Sequence, residues 1–517
     1  MSGAILPRRR FLRLAGLAGL GLALVSTVVG ATAHLLILHT NDLHDHLRPG
    51  PGDQGGMPWV AGYVAQVRAE RSDVLVLDAG DVTEKGDLVA ARSDHRMNYE
   101  ALRRIGYDAV TIGNHDHDAG VAGLRAYEQA LGQPLLCLNL VRPDGTPEFT
   151  PSRVVQVGAL KVGIIGLIVP RPPEAGGLDF EASGRALARE AARLRGQVHL
   201  LIALCHEGSR NCARWSQMAP EVDVFVSGHT HELLPAPVTV PGTGALIVQA
   251  GSYAQWVGRL ELTIDLDARK VVGAAGTVVP LRHDRIHADE SMLAWVRERE
   301  KALCPEAAEV VVPHTGQVAM DAVAWLGAEA LRQQAGTDVG FCHAGQVIRS
   351  PIFAGPVDVN ALYVAGGDRG DATVRTELTG DEIGAYVALL AAEKDNRTNW
   401  SGFRVEAVAS APGSARAADI LVPGRTYTVI LPRLEWETRF LRAAKRAREK
   451  HLGGPLAAHE FSAQPAPAVT FTGAMRQYLG RLAQAGTSPA AEAARLAAAA
   501  GAAPAPADER LPGPEAN

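Results

Sequence analysis

The chain has 517 residues, 47% apolar and 21% charged, the profile of a globular protein long enough for two domains with accessory segments. A net charge of −5 excludes the electrostatic footprint of a nucleic-acid binder, and 5% aromatics excludes a broad base-stacking platform for single strands. Five cysteines, Cys137, Cys205, Cys212, Cys304 and Cys342, show no CxxC or Cys/His finger spacing, which excludes a zinc ribbon and a redox dithiol. Cys205 and Cys212 stand close enough in sequence for a disulfide or for two buried free thiols.

The N-terminus reads as an address. Arg8-Arg9-Arg10-Phe11-Leu12-Arg13 resembles the twin-arginine export motif, and a Gly/Ala-rich apolar stretch from Leu14 to Gly30 follows. That stretch of about 17 residues is at the lower limit for a membrane span, and it ends in Ala31-Thr32-Ala33, a small-x-small cleavage signature. Residues 1–33 are therefore read as a leader outside the fold. The expected partner is the twin-arginine export machinery, the expected location periplasmic or secreted, with no stable membrane span after cleavage.

From His34 onward, apolar strand runs alternate with amphipathic segments, which predicts an α/β fold. Leu35-Leu36-Ile37-Leu38 is a buried strand that delivers His39-Thr40-Asn41-Asp42-Leu43-His44. Val74 to Leu77 delivers Asp78-Ala79-Gly80-Asp81; a helix near Asn98 to Ile105 comes next; Ala109 to Ile112 delivers Gly113-Asn114-His115-Asp116-His117-Asp118. Val154 to Val157 and Val162 to Ile168 form a hairpin. Leu200 to Leu204 delivers Cys205-His206-Glu207-Gly208, and Val222 to Val226 delivers Ser227-Gly228-His229-Thr230-His231. A single such histidine is read as a core or loop residue. Asp, His or Asn at five separate strand ends, where α/β sheets bind ligands, reads as one site.

In this order, Asp-x-His, Gly-Asp, Gly-Asn-His-Asp, an isolated His and Gly-His-Thr-His resemble the calcineurin-like metallophosphoesterase signature. The opening His39-Thr40-Asn41-Asp42-Leu43-His44 is similar to its branch of secreted bifunctional 5'-nucleotidases and 2',3'-cyclic nucleotide phosphodiesterases. The resemblance covers about residues 34–285 with specific motifs and 310–440 more loosely. It implies a four-layer α/β/β/α sandwich followed by a smaller α+β C-terminal domain. The expected plan is a leader (1–33), a catalytic domain (34–285), a linker helix (286–310), a substrate domain (311–480) and an Ala/Pro-rich, partly disordered tail (481–517).

Carried over residue by residue, the resemblance implies one metal held by Asp42, His44 and His231. A second is held by Asn114, His206 and His229, and Asp81 bridges the two. A carboxylate, amide and imidazole set suits two divalent ions of the Zn, Mn or Fe kind. Two metals sharing a carboxylate can acidify a bridging water and aim it in line at phosphorus. His115 is implied as the residue that stabilises the transition state or protonates the leaving oxygen. Asp118 is expected to orient it, or to cap a helix from Ala119 to Ala130, or both. Asp116 and His117 receive no role, Asp78 is expected to be structural, and Asp45 to preserve a left-handed bend.

The second half departs from the pattern. Ala288 to Ala308 contains a charged helix ending before Pro305, of the kind that joins two domains or decorates either. Met320 to Ala335 is an amphipathic helix. In Val339 to Arg349, the resemblance implies that Arg349 reaches the substrate phosphate, with Arg375 as another candidate. The Pro-Phe-x-Asn segment expected downstream is replaced by Gly366-Gly367-Asp368-Arg369-Gly370-Asp371. Phe403 of Ser401-Gly402-Phe403 is implied as one half of a base sandwich, with Asn114 also on the substrate. The segment for the second ring is missing, leaving Trp436 or Phe440 as substitutes or as core. Arg442 to Lys450 is a solvated basic helix face and Ala490 to Ala500 a short helix.

The expected activity is thus exported, two-metal hydrolysis of a small-molecule phosphate ester, a nucleotide. The alternatives are a thiosulfohydrolase of periplasmic sulfur oxidation and a non-catalytic binding module on the same scaffold.

Overall fold

The apolar runs build two sheets packed face to face. The computed structural model describes residues 31–172, 176–392, 397–407, 415–418, 421–450 and 454–501. The leader motif and the Pro-rich end of the tail lie outside the described residues.

Among the described residues up to 280 there are eleven strands: β1 (Thr32–Thr40), β2 (Val74–Asp78), β3 (Ala109–Val110), β4 (Ser152–Val157), β5 (Leu160–Leu167), β6 (Leu200–Cys205), β7 (Val224–Ser227), β8 (Val238–Thr239), β9 (Leu246–Val248), β10 (Trp256–Asp265) and β11 (Lys270–Pro280). One sheet has the order β11-β10-β1-β2-β3 and the other β4-β5-β6-β7-β9-β8. Side chains alternate across a strand, so neighbours serve different cores. Leu35 and Ile37 point between the sheets to meet Ile164, Ile202 and Val226. Leu36 and Leu38 point the other way, onto Val60 and Leu102 of helices Met57–Glu70 and Arg96–Ile105. Leu201 and Ala203 bury the far face of the second sheet under Leu187 and Trp215 of two more helices. Four layers, α/β/β/α, result.

Thr32 and Ala33 belong to this fold: β1 begins at Thr32 and pairs both residues with Asp265 and Ile264 of β10. The leader boundary at 33 therefore cuts into a strand. The expected linker helix runs from Glu290 to Leu303, where the Asp289 carboxylate accepts from the Met292 amide, a cap worth about 1 kcal/mol. Its Met292, Trp295 and Val296 are buried in the core of the first body, so it is part of that body.

The C-terminal body is a five-stranded mixed sheet with Val339–His343 and Thr426–Pro432 parallel at its centre. Helices Met320–Ala335, Phe471–Gln484 and Pro489–Ala499 cover one face. The boundary at 480 falls inside the second of these helices. The Ala-rich helix beyond it buries Ala493, Leu496 and Ala497 in the same core, so the chain to residue 499 is body and not tail. The two bodies meet through residues 358–369. Asn360 accepts from the Leu88 amide at 2.9 Å and donates to Asp87 at 2.8 Å, and Arg48 pairs with Asp358 at 2.8 Å. Among the described residues no helix is long and apolar enough to cross a membrane.

Candidate functional site

The strand ends converge where predicted. Asp42, His44 and His231 form one group, and Asp81, His206 and His229 another, their donor atoms within 4.8 Å of one another in each group. His44 Nε2 lies 3.9 Å from Asp81, so Asp81 faces both groups. Asn114 Oδ1 is 2.8 Å from His229 Nδ1.

Local geometry shows why the sequence folds this way. Asp42, His44, Asp81, His229 and His231 all have positive φ, between 47° and 76°. Left-handed backbone costs a non-glycine residue about 1–2 kcal/mol, and such strain persists only where surroundings over-determine it. The surroundings here are specific. The fully buried Asp116 carboxylate accepts from the amides of Gly113, Asp81, Val82 and Thr83 and from the Thr83 hydroxyl. Asp116 is therefore the anchor of the Asp81 loop, a function the sequence left open. A Cβ on Gly113 would stand 2.1 Å from Asp81 Oδ1, so only glycine lets the Asn114 loop approach. The Asp42 carboxylate accepts from the His229 amide at 3.0 Å. Asp78 accepts from the Thr40 hydroxyl and the Gly80 amide, a structural place as expected. Asp45 holds the left-handed bend (φ 59°) and faces His95 Nδ1 at 2.8 Å.

The hydrogen-bond pattern tests whether this set fits metal ions. His206 Nδ1 donates to the Ala79 carbonyl at 2.8 Å. Its buried Nε2 then stands 3.0 Å from an Asp81 carboxylate oxygen. His44 Nδ1 likewise faces the Thr83 carbonyl at 3.2 Å, aiming Nε2 at His231 Nε2, 3.0 Å away. Such pairs call for a shared proton or a metal cation between them, and imidazoles anchored through their other nitrogen are oriented as metal ligands are. Burial lowers the His206 pKa, yet Asp81 outweighs it and lifts the value to about 10: the pocket draws positive charge. The residues fit a pair of divalent ions.

His115 stands against this centre. Its amide donates to Asp81 Oδ1 at 2.8 Å, and its ring lies 5.4 Å from that of His44. Two carboxylates face its Nδ1, and Asp118 is the more distant. The Asp118 carboxylate is 3.7 Å from His115 Nδ1 and 53% exposed, whereas Glu84 lies at 2.9 Å and is 23% exposed. Nor does Asp118 cap the next helix, which starts at Gly120 behind Ala119 without a side-chain cap. Glu84 was not singled out from the sequence. Its one signal is position, three residues after Asp81.

A cleft of about 320 Å³ opens beside the centre, lined by His46, Lys85 and Tyr253 from the first body and by Arg349, Phe353 and Asn360 from the second. Tyr253 touches the rings of both His44 and His231. Arg349 is thus brought to the cleft, its guanidinium donating to the Gly345 carbonyl. Arg375 is not among the residues lining the cleft; it sits exposed on a strand, paired in register with Ile430 and Gln464. Phe403 is 4% exposed, stacked on Trp400 and edge-on to Phe341 in the C-terminal core, so it offers no ring face to a base. Trp436 and Phe440 stack on each other in that core. His343, in the loop expected to grip phosphate, is buried against Arg439. Cys205 and Cys212 lie with their sulfurs 3.0 Å apart, as buried thiols.

Residues 35–233 match the family model of the calcineurin-like phosphoesterases. An uncharacterized metallophosphoesterase of Bacillus subtilis, YunD, is 28% identical over 398 residues, covering 72% of this chain and 82% of that protein. The snake venom 5'-nucleotidase of Gloydius brevicauda is 29% identical over 309 residues, 53% of this chain and 52% of that one; the chain thus spans about half the length of this nucleotidase relative. Among solved structures, a 5'-nucleotidase precursor from Thermus thermophilus superposes with a TM-score of 0.64 at 22% identity, covering 87% of this chain and 97% of its own. The sulfate thiohydrolase SoxB of the same species superposes with a TM-score of 0.61 at 17% identity, covering 88% and 94%. These two likenesses describe the fold.

Proposed function

The chain carries a calcineurin-like metallophosphoesterase domain with 5'-nucleotidase homologues, a metal-dependent phosphoester hydrolase by kind, and from this premise we propose that it is an exported hydrolase of nucleotides. Its activity is that of a 5'-nucleotidase, a 2',3'-cyclic nucleotide phosphodiesterase or both. The observation that supports this reading is the acceptor-against-acceptor packing of His206 on Asp81 and of His44 on His231.

In this reading Asp42, His44 and His231 hold one divalent ion, Asn114, His206 and His229 the other, and Asp81 faces both. When bound, two such ions polarise the phosphoryl oxygens and acidify a water. The chain's own residues do the rest. Asn114 and Arg349 orient the phosphoryl group, Arg349 from across the cleft. His115, with Nδ1 held by a carboxylate, directs Nε2 toward the oxygen that leaves and supplies its proton. The resemblance of Arg8 to Arg13 to a twin-arginine motif supports the periplasm or the exterior as its place of work.

The burial of Phe403 favours keeping a second reading, thiosulfohydrolysis, because it removes the ring expected to recognise a base. A panel of AMP, 2',3'-cyclic AMP, UDP-glucose, bis(p-nitrophenyl) phosphate and a thiosulfonate, run with metal analysis of the same preparation, separates the readings. Turnover of AMP or cyclic AMP is expected. Turnover of the thiosulfonate alone selects the second reading, and turnover of nothing by metal-loaded protein leaves a binding module.

A further inference from the structure

We propose that Glu84 is the residue that positions His115, and that Arg369 of the C-terminal body holds Glu84 in place, so that docking of the two bodies sets the aim of the proton donor. This deepens the hydrolase reading above and rests on it.

Three observations converge. First, His115 Nδ1 lies 2.9 Å from Glu84 Oε2, inside hydrogen-bond reach, while Asp118 at 3.7 Å is outside it. The better shielded carboxylate makes the stronger bond to the ring. Second, the same Glu84 oxygen lies 2.9 Å from Arg369 Nη2, a contact spanning 285 residues and joining the two bodies. Arg369 stands in Gly366-Gly367-Asp368-Arg369-Gly370-Asp371, the segment that replaces the expected Pro-Phe-x-Asn. The departure from the nucleotidase pattern thus has a use. Third, Glu84 and Lys85 both have left-handed backbone, with φ of 67° and 70°. Two such residues in a row are costly and are kept by the ties at either end of the loop. Thr83 is fixed to Asp116, and Asp87 accepts from the Arg48 amide and from Asn360. The strain delivers the Glu84 carboxylate to His115 and Arg369 at once.

The consequence is chemical. With Nδ1–H donated to Glu84, His115 keeps Nε2 toward the substrate. When the P–O bond to the leaving alcohol breaks, the electron pair stays on oxygen and the proton on Nε2 moves to it. An alkoxide leaving group needs that proton; a nitrophenolate does not.

The experiment compares a nucleoside 5'-phosphate with p-nitrophenyl phosphate for the wild type, Glu84→Gln, Arg369→Gln, the double variant and Asp118→Asn, with metal content measured for each. Glu84→Gln is expected to lower kcat on the nucleotide about 100-fold, to lower it about threefold or less on the nitrophenyl ester, and to leave KM and metal content near wild type. Arg369→Gln should show the same ester selectivity at about 10-fold, and the double variant should be no worse than Glu84→Gln, because Arg369 acts through Glu84. Asp118→Asn should cost less than either. Independently of turnover, ¹⁵N-histidine spectra of the metal-free protein should show His115 protonated at Nδ1 in the wild type and shifted in Glu84→Gln. Equal losses on both esters, or loss of metal with Glu84→Gln, make Glu84 a support of the metal centre and overturn the proposal. A third metal ion per chain, bound by Glu84, His115 and Asp118 and lost with Glu84→Gln, also overturns it. If the wild type cleaves neither ester, the hydrolase reading falls, and the His115 spectra alone decide whether Glu84 holds the ring.

Discussion

The two sides of the interbody cleft are built differently. On the first body, Asp42, His44, Asp81, His229 and His231 leave strand ends through left-handed backbone, and the buried Asp116 carboxylate pins the Asp81 loop. On the C-terminal body, the residues that the sequence resemblance implied for a nucleotide base lie inward: Phe403, Trp436 and Phe440 pack the core, and His343 is buried against Arg439. What faces the first body there is Arg349, from the expected phosphate loop, together with Asn360 and Arg369. The candidate metal-holding residues and the residues that face them across the cleft thus sit on separate bodies of this chain. Strain lies with the candidate metal-holding residues, while the other side contributes contacts that dock the two bodies.

Removing a donor from the first side breaks the comparison hardest. Asp81→Ala and His229→Ala are expected to lower hydrolysis of every ester by about 10³-fold or more, with loss of bound metal by elemental analysis. Full activity of Asp81→Ala after metal is stripped and restored would sink the paired-metal reading. On the other side, Phe403→Ala should act on stability. Truncating a buried ring costs about 3–5 kcal/mol, read from urea unfolding, while Phe403→Leu should cost about 1.5 kcal/mol or less and leave KM for nucleotides near wild type. A selective rise in KM with Phe403→Leu would restore that ring to the substrate. Arg349→Gln should raise KM about 10-fold, the scale of one charge-assisted contact, whereas Arg375→Gln should leave KM unchanged.

Much of the first side was legible in the sequence because strand ends and ligands are tied by local order. An apolar run followed by Asp, Asn or His places the side chain, as at Leu35 to His44 and Leu200 to His206. The five left-handed residues were not legible, since Asp and His tolerate that region without announcing it. Glu84 was hidden for a different reason: its meaning comes from Arg369, and no spacing rule reaches across 285 residues. Asp118 was visible because i,i+3 spacing brings its carboxylate to 3.7 Å from His115, but spacing could not show that Glu84 stands nearer, at 2.9 Å. The Ala-rich helix at Pro489–Ala499 looked like tail because small residues carry a weak hydrophobic signal, although they pack closely on Met320–Ala335.

The smallest expected effect concerns how the strained side is held. His95 Nδ1 faces the buried Asp45 carboxylate at 2.8 Å, beside the His44 bend. Burial lowers the pKa of His95, but Asp45 outweighs it and carries the value from 6.5 up to about 9. A pKa raised on folding means that the folded state binds the proton more tightly than the unfolded chain. The contribution is therefore complete below about pH 6.5 and is lost as pH rises through about 9. Against it stands the cost of burying Asp45, whose own pKa burial pushes up, so the net effect is about 1 kcal/mol. Urea unfolding of the wild type and His95→Gln at pH 6, 8 and 10 reads it directly: the gap should be widest at pH 6 and close by pH 10. A gap that widens toward pH 10 would mean that His95 packs as a neutral ring and that the bend is held by the backbone and by the Asn98 side-chain amide, which donates to Asp45 Oδ1.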